Sequence, residues 1–132
     1  MSSNLPGAYY TTRFVIEDAP TPLPGEFAII TGYNPMDEAS SDEENLQADR
    51  QLRDHLENKG LAHFRVTGQS PDGSHREPGW AISMIRAEAV ELARCFRQRA
   101  LWWIEDGELL IIDGDSGSSD PIGRFSDRTD PQ

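Results

Sequence analysis

Between residues 27 and 104, short apolar runs alternate with two stretches of helical period, and that alternation limits the folds open to the chain. Phe27-Ala-Ile-Ile-Thr31 is a continuous apolar run, as expected of a buried central strand. Ser41 and Glu44 then form a capping-box pattern, with Asp42 and Glu43 in the first turn. The spacing predicts a helix over 42–59 that buries Ala48, Leu52 and Leu56, with Asn45 one turn earlier on the same face and Gly60 as its stop. His63-Phe-Arg-Val66 and residues 80–85 read as strands. A second helix follows from about Arg86 to Arg97, with Ala89, Leu92, Ala93 and Phe96 as its apolar face. Residues 100–104 and 109–112 read as a hairpin around Asp106-Gly107.

The resulting order, β-α-β-β-α-β, predicts an α+β fold. The expected form is a ferredoxin-like (split β-α-β) two-layer sandwich, with both helices on one face of a mixed sheet of about six strands. A strand over 8–17 and the C-terminal hairpin strand extend that sheet, and Asp18–Gly25 is a proline-broken linker. The crossover from 27–31 to 63–66 is expected to be right-handed and parallel. Residues 1–113 form a single domain. Residues 114–132 hold almost no apolar side chains and are expected to be a flexible acidic tail, with Phe125 and Ile122 as a weak contact point set against a wholly disordered segment.

Charge excludes some functions. With 23 acidic against 12 basic residues the net charge is −11. Direct nucleic-acid binding is not expected, because it relies on Lys and Arg neutralising phosphates. The same charge suits an acidic decoy occupying a nucleic-acid-binding surface. The lone cysteine, Cys95, rules out an internal disulfide or a Cys-based zinc site, and reads as a half-buried small side chain. No signal-peptide pattern and no run near the ~20 apolar residues of a membrane helix is present, so cytoplasm is the expected location.

The segment 67–78 is long for a hairpin loop and places His75, Arg76 and Glu77 in succession after Gly68 and Gly73. The glycines match neither a P-loop nor G-x-G-x-x-G. In the predicted topology four segments reach one rim: residues 31–34, Asn45 with the first helix N-terminus, the 67–78 loop, and residues 96–99. A helix N-terminus with Arg76, Arg97 and Arg99 would make a cationic pocket for a small anion such as a nucleotide or phosphorylated metabolite.

Several phrases resemble an uncharacterised family, the domain of unknown function 3293 family. They are Phe27-Ala-Ile-Ile-Thr-Gly-Tyr-Asn-Pro35, Ser41-Asp-Glu-Glu-Asn45, Arg76-Glu-Pro-Gly-Trp80 and Ala93-Arg-Cys-Phe-Arg-Gln-Arg-Ala-Leu101. The resemblance runs over roughly 8–112 and implies a bacterial or phage origin with no assigned activity. Where the family usually has Gly-Gln-Asn, this chain has Arg97-Gln98-Arg99.

Two readings stand for each candidate. His75 and Glu77 suit a general base with its orienting carboxylate, or else a staple within the loop. Asn34 and Asn45 suit recognition of a ligand amide or hydroxyl, or else satisfy backbone groups at the strand end. Thr31, Ser70 and Gln98 complete the ligand-binding set with Arg76, Arg97 and Arg99. Ser70 and Ser74 lack a nucleophile elbow, and with only His55 and His63 besides His75, no metal site is indicated. One of Trp102 and Trp103 faces the core, and the other is either covered by the N-terminal segment or exposed to a partner. Residues 37–54 read as a solvated acidic helix face. The expected function is binding of a small anionic molecule. The alternative is an acidic protein–protein interaction module, for example a nucleic-acid-mimicking inhibitor in phage–host conflict. No cofactor is specified.

Overall fold

The computed structural model describes residues 5–131. In chain order its elements are α1 (Ala8–Thr11), β1 (Arg13–Glu17), β2 (Glu26–Ile30), a 3₁₀ turn (Pro35–Asp37), α2 (Asp42–Asn58), β3 (His63–Gln69), β4 (Arg76–Ile82), α3 (Arg86–Cys95), β5 (Ala100–Glu105), β6 (Glu108–Asp113), β7 (Ser119–Arg124), a second 3₁₀ turn (Phe125–Arg128) and β8 (Thr129–Asp130). The eight strands form one sheet in the order β7-β6-β5-β2-β4-β3-β1-β8. β8 joins β1 in parallel, and the other pairings are antiparallel. β2 and β3 run in the same direction but have β4 between them.

The local signals hold where they are local. Both capping-box bonds form at the start of α2, Ser41 Oγ from Glu44 N and Glu44 Oε1 from Ser41 N, each 3.1 Å. Gly60 ends the helix with a φ of +67°. Asp106 and Gly107 both take positive φ in the β5–β6 turn, which the right-handed strand twist favours. α2 buries Asn45, Asp49, Leu52 and Leu56, and α3 buries Ala89, Leu92 and Ala93. These side chains close over Ala28, Ile30, Leu101 and Trp103 on one face of the sheet.

The expected two-layer ferredoxin-like sandwich is overturned by the other face. There Phe14, Phe27, Ile29, Phe64, Val66, Trp102, Ile104 and Phe125 make a second core. In a flat sheet β1 and β5, four positions apart, would lie about 19 Å from each other. Yet the rings of Phe14 and Trp102 meet edge to face at 5.3 Å. The sheet therefore curls, as a mixed eight-stranded half-barrel, and buries both faces. The physical reason is in β2 and β5, whose residues are apolar on both sides of the pleat and need cover on both.

The concave side is covered by the chain ends. Residues 8–11, expected as strand, form one helical turn instead. Residues 114–132, expected as a flexible tail, carry β7 and β8 through residue 130, and Phe125 is only 3% exposed between Phe14 and Phe27. Composition misled because this segment is held by main-chain pairing and polar ties. Arg13 Nε and Gln69 Nε2 grip Asp130 at 2.8 and 2.9 Å, and Arg128 donates to the carbonyls of Tyr10 and Ile122 at 2.7 and 2.9 Å. Trp102 is buried on the concave side beneath Tyr9, and Trp103 on the helix side. Cys95, expected half-buried, is exposed.

The acidic helix is also less uniform than expected. Asp49 is buried on α2 and holds Arg65 by two 2.8 Å bonds, while that guanidinium lies 3.8 Å over the Trp80 ring. No helix among the described residues is long and apolar enough to cross a membrane.

Candidate functional site

The site begins where β2 leaves the sheet. Thr31 Oγ1 donates to the carbonyl of Pro78 at 2.7 Å and accepts from Tyr33 N at 3.0 Å, turning the chain out of the strand. Gly79 lets β2 and β4 close here, since a Cβ on it would stand 2.7 Å from the Ile30 carbonyl oxygen. The chain then passes through three positive-φ residues, Asn34, Met36 and Asp37. Non-glycine residues adopt that conformation only where neighbours enforce it. The enforcing bonds are visible: Asn34 N donates to Asn45 Oδ1 at 2.9 Å, Asn45 Nδ2 returns to Asn34 Oδ1 at 3.0 Å, and Met36 N donates to the Arg97 carbonyl at 2.7 Å.

Asn34 Nδ2 reaches across to Glu77 Oε2 at 3.2 Å, and His75 Nε2 meets the same oxygen at 2.7 Å. The 67–78 loop is shorter than expected because β3 continues to Gln69 and β4 starts at Arg76. Strand alternation then splits the His-Arg-Glu cluster: Glu77 turns to the concave face, while Arg76 turns to the other and lines a separate surface groove with Val15, Glu17 and Gln69. The true turn, 70–75, is organised by Asp72. Its Oδ1 accepts from Ser70 Oγ, Ser74 N and Ser74 Oγ at 2.7, 3.0 and 2.8 Å, which hold its carboxyl down at about 2.

Thr31, Ser70, His75 and Glu77 among these groups line a cavity of about 430 Å³ on the concave face. Its floor is Ile29, Val66, Gly68, Gly79 and Trp102, and one wall is Pro6, Ala8, Tyr9, Thr11 and Thr12 of the N-terminal segment. Thr31, Asp37, Gln69, Ser70, His75 and Glu77 bring polar side chains to its lining, beside the hydroxyls of Tyr9, Thr11 and Thr12. Tyr9 fastens the wall: its hydroxyl donates to Asp37 Oδ1, and its carbonyl accepts from Trp102 Nε1 at 3.4 Å. Burial first, and then that bond to a carboxylate, push the Tyr9 hydroxyl well above the usual phenol range, so it stays protonated. Asp37 is also paired with Arg99 at 3.5 Å.

Of the sequence candidates, Thr31, Ser70, His75 and Glu77 line the cavity. Asn34 and the buried Asn45 stand behind Glu77: Asn45 holds the Asn34 backbone N–H and side-chain carbonyl, which leaves Asn34 Nδ2 to donate to the carboxylate and position it. Gln98 is buried and donates to the carbonyls of Tyr33 and Phe96, each at 3.2 Å, joining 96–99 to the loop after β2. The four predicted segments do meet. The predicted cationic pocket does not form: Arg76 faces away, Arg97 is exposed in a positive-φ turn, and Arg99 is paired at the rim. Among the described residues no lysine or arginine lines the cavity. Sequence reasoning missed Tyr9, Asp37 and Gly79. The available signals were the Tyr9-Tyr10 pair beside a strand and the Pro-Gly step at 78–79.

Curled sheet, N-terminal wall and carboxylate–imidazole pair define the molecule structurally, and one family model fits it. Residues 30–101 match the model described as a protein of unknown function (DUF3293), and the chain belongs to that family. The match takes in Thr31, Asn34, Asn45, His75, Glu77 and Gln98, while Tyr9 and Trp102 lie outside it. Comparison with curated proteins and with solved structures gives no match.

Proposed function

We propose that this domain binds a small molecule in the cavity beneath α1, with an apolar body against Ile29, Val66 and Trp102 and a polar end against His75 and Glu77. The observation that supports it is a cavity of about 430 Å³ lined both by apolar side chains, Ile29, Val66 and Trp102, and by the linked polar pair His75 and Glu77. That is the form of small-molecule sites in general. The phosphate-like anion anticipated from the arginines is set aside, because none of the three lines this cavity.

The His75–Glu77 pair equips the same site for proton transfer. In the tautomer that donates from Nε2 to Glu77 Oε2, the other ring nitrogen, Nδ1, is an acceptor with no partner among the described residues. Asn34 fixes the carboxylate from behind at 3.2 Å. A bound molecule with an acidic proton near Nδ1 would meet an oriented base.

The interaction-module reading retains one support, the exposed acidic side of α2 with Asp42, Glu43, Glu44, Asp54 and Glu57. Its second support was the tail, which instead lies in the sheet through residue 130.

A thermal-shift screen of neutral, cationic and anionic aromatic fragments tests the cavity reading. Thr11→Trp, at an exposed position lining the cavity, sets a bulky ring against the ligand space. Stabilisation by several degrees that this variant loses is the expected result. Absence of any shift, or a shift that Thr11→Trp preserves, contradicts it.

A further inference from the structure

Glu77 is the most informative group in the cavity. Its side chain is 26% exposed, partly withdrawn from water yet still open to an incoming group. A carboxylate in that position is stabilised by an opposite charge or by hydrogen bonds to both oxygens. In Glu77 the two oxygens are used differently. Oε2 takes both the His75 and the Asn34 bond, and Oε1 has no hydrogen-bond partner among the described residues. No lysine or arginine among them pairs with it.

The other charged groups do not change that balance. Asp37, also lining the cavity, is acidic and already paired with Arg99 and Tyr9. Arg76 lies on the opposite face of the sheet. Tyr9 and Trp102, with ring centroids 5.8 Å apart, both line the cavity. Aromatic faces present negative potential and attract cations. One cavity thus joins a carboxylate with one oxygen free of protein partners among the described residues, two aromatic rings and an apolar floor.

We infer that the cavity selects an organic cation: a primary or secondary amine, or an amidine, carried on an aromatic or aliphatic body. The inference rests on the cavity reading above. The N–H donors of the ligand bond Glu77 Oε1, its fixed positive charge pairs with the carboxylate, and its body packs on Trp102, Ile29 and Val66. Anions are rejected, because they would face Glu77 and Asp37 with no cation lining the cavity to receive them.

The test compares three matched probes by calorimetric or NMR titration at physiological salt: 2-phenylethylamine, 2-phenylethanol and 3-phenylpropanoate. They share a phenyl group and differ in charge. The amine should bind at least tenfold more tightly than the alcohol, and the carboxylate should not bind measurably. Glu77→Gln should bring amine and alcohol within about threefold, since a 1.4 kcal/mol preference is tenfold. Glu57→Gln, an exposed acid on α2, controls for general attraction by a −11 protein and should leave the preference intact. If the alcohol or the carboxylate binds as well as the amine and Thr11→Trp abolishes that binding, the cavity reading stands and the charge inference is overturned. The inference is likewise overturned if the amine preference survives Glu77→Gln. Where no probe binds, or Thr11→Trp leaves binding unchanged, both fail. The wild-type series decides the charge question even if Glu77→Gln is unstable.

Discussion

Asn34 and Asn45 exchange side-chain bonds across the loop that separates β2 from α2. Asn45 Oδ1 accepts the Asn34 backbone N–H at 2.9 Å, and Asn34 Oδ1 accepts from Asn45 Nδ2 at 3.0 Å. Asn45 is buried, and Asn34 holds a φ of +47°. Asn45→Ala removes the partner of a backbone donor and of a side-chain carbonyl together. It should cost about 1–3 kcal/mol in urea denaturation. Asn34→Gly, which relieves the positive φ but drops the link to Glu77, should cost less stability than Asn34→Ala. If the two Asn34 variants are equally stable, the backbone strain assigned to this loop is absent.

Phe125 ties the C-terminal segment to the core. Its ring meets Phe14 at 5.5 Å and Phe27 at 5.6 Å. Phe125→Ala should destabilise the whole domain by about 3–5 kcal/mol, as large core truncations do. Asp130→Asn, which weakens the bonds from Arg13 and Gln69, should raise hydrogen exchange in β8 with a smaller global cost. An unchanged denaturation midpoint for Phe125→Ala would show the segment to be independent of the core.

Asp72 sets a pH response. Its carboxyl lies at about 2 in the fold, against an ordinary value of 3.8, because Ser74 N–H and the hydroxyls of Ser70 and Ser74 bond the charged form. A lowered folded value contributes stability that is complete above 3.8 and disappears as pH falls toward 2. An NMR titration should therefore place the Asp72 midpoint near 2, and the Asp72→Asn variant should lose less stability than wild type between pH 4 and 2. A midpoint at the ordinary value would mean that the turn does not hold the carboxylate.

Gly79 is required by the closeness of two backbones. A Cβ there would come within 2.7 Å of the Ile30 carbonyl oxygen, which cannot swing aside as a side chain would. Gly79→Ala should force β2 and β4 apart beside Thr31 and cost about 1–3 kcal/mol. Gly73→Ala probes the same residue type in open space, where only its φ of +75° is strained, and should cost about 1 kcal/mol. Equal effects would remove the case for close approach at Gly79.

The sequence was most legible where a signal is local. The Ser41–Glu44 box, the Asp106-Gly107 turn and the stripe Leu52–Leu56 each depend on residues within a turn or two, and each is present as expected. The meeting of 31–34, Asn45, 67–78 and 96–99 was also legible, because helix and strand directions bring those ends to one side. The concave face was not. Its contacts join Tyr9 to Trp102 and Phe14 to Phe125, partners far apart in the chain with no shared period. The Arg76–Glu77 split turned on where β4 begins, since a strand starting two residues later would have left both in a loop. Asp49 escaped notice because a buried acid on an acidic helix is identifiable only through its partner, Arg65.

The most direct test of the central claim is an amide and indole NMR titration of the full chain with 2-phenylethylamine. The account predicts saturable shifts confined to Tyr9, Thr31, Glu77, Gly79 and the Trp102 indole, all lining the cavity. Shifts that do not saturate, or that centre on the exposed acids of α2 while Trp102 stays unperturbed, would contradict it.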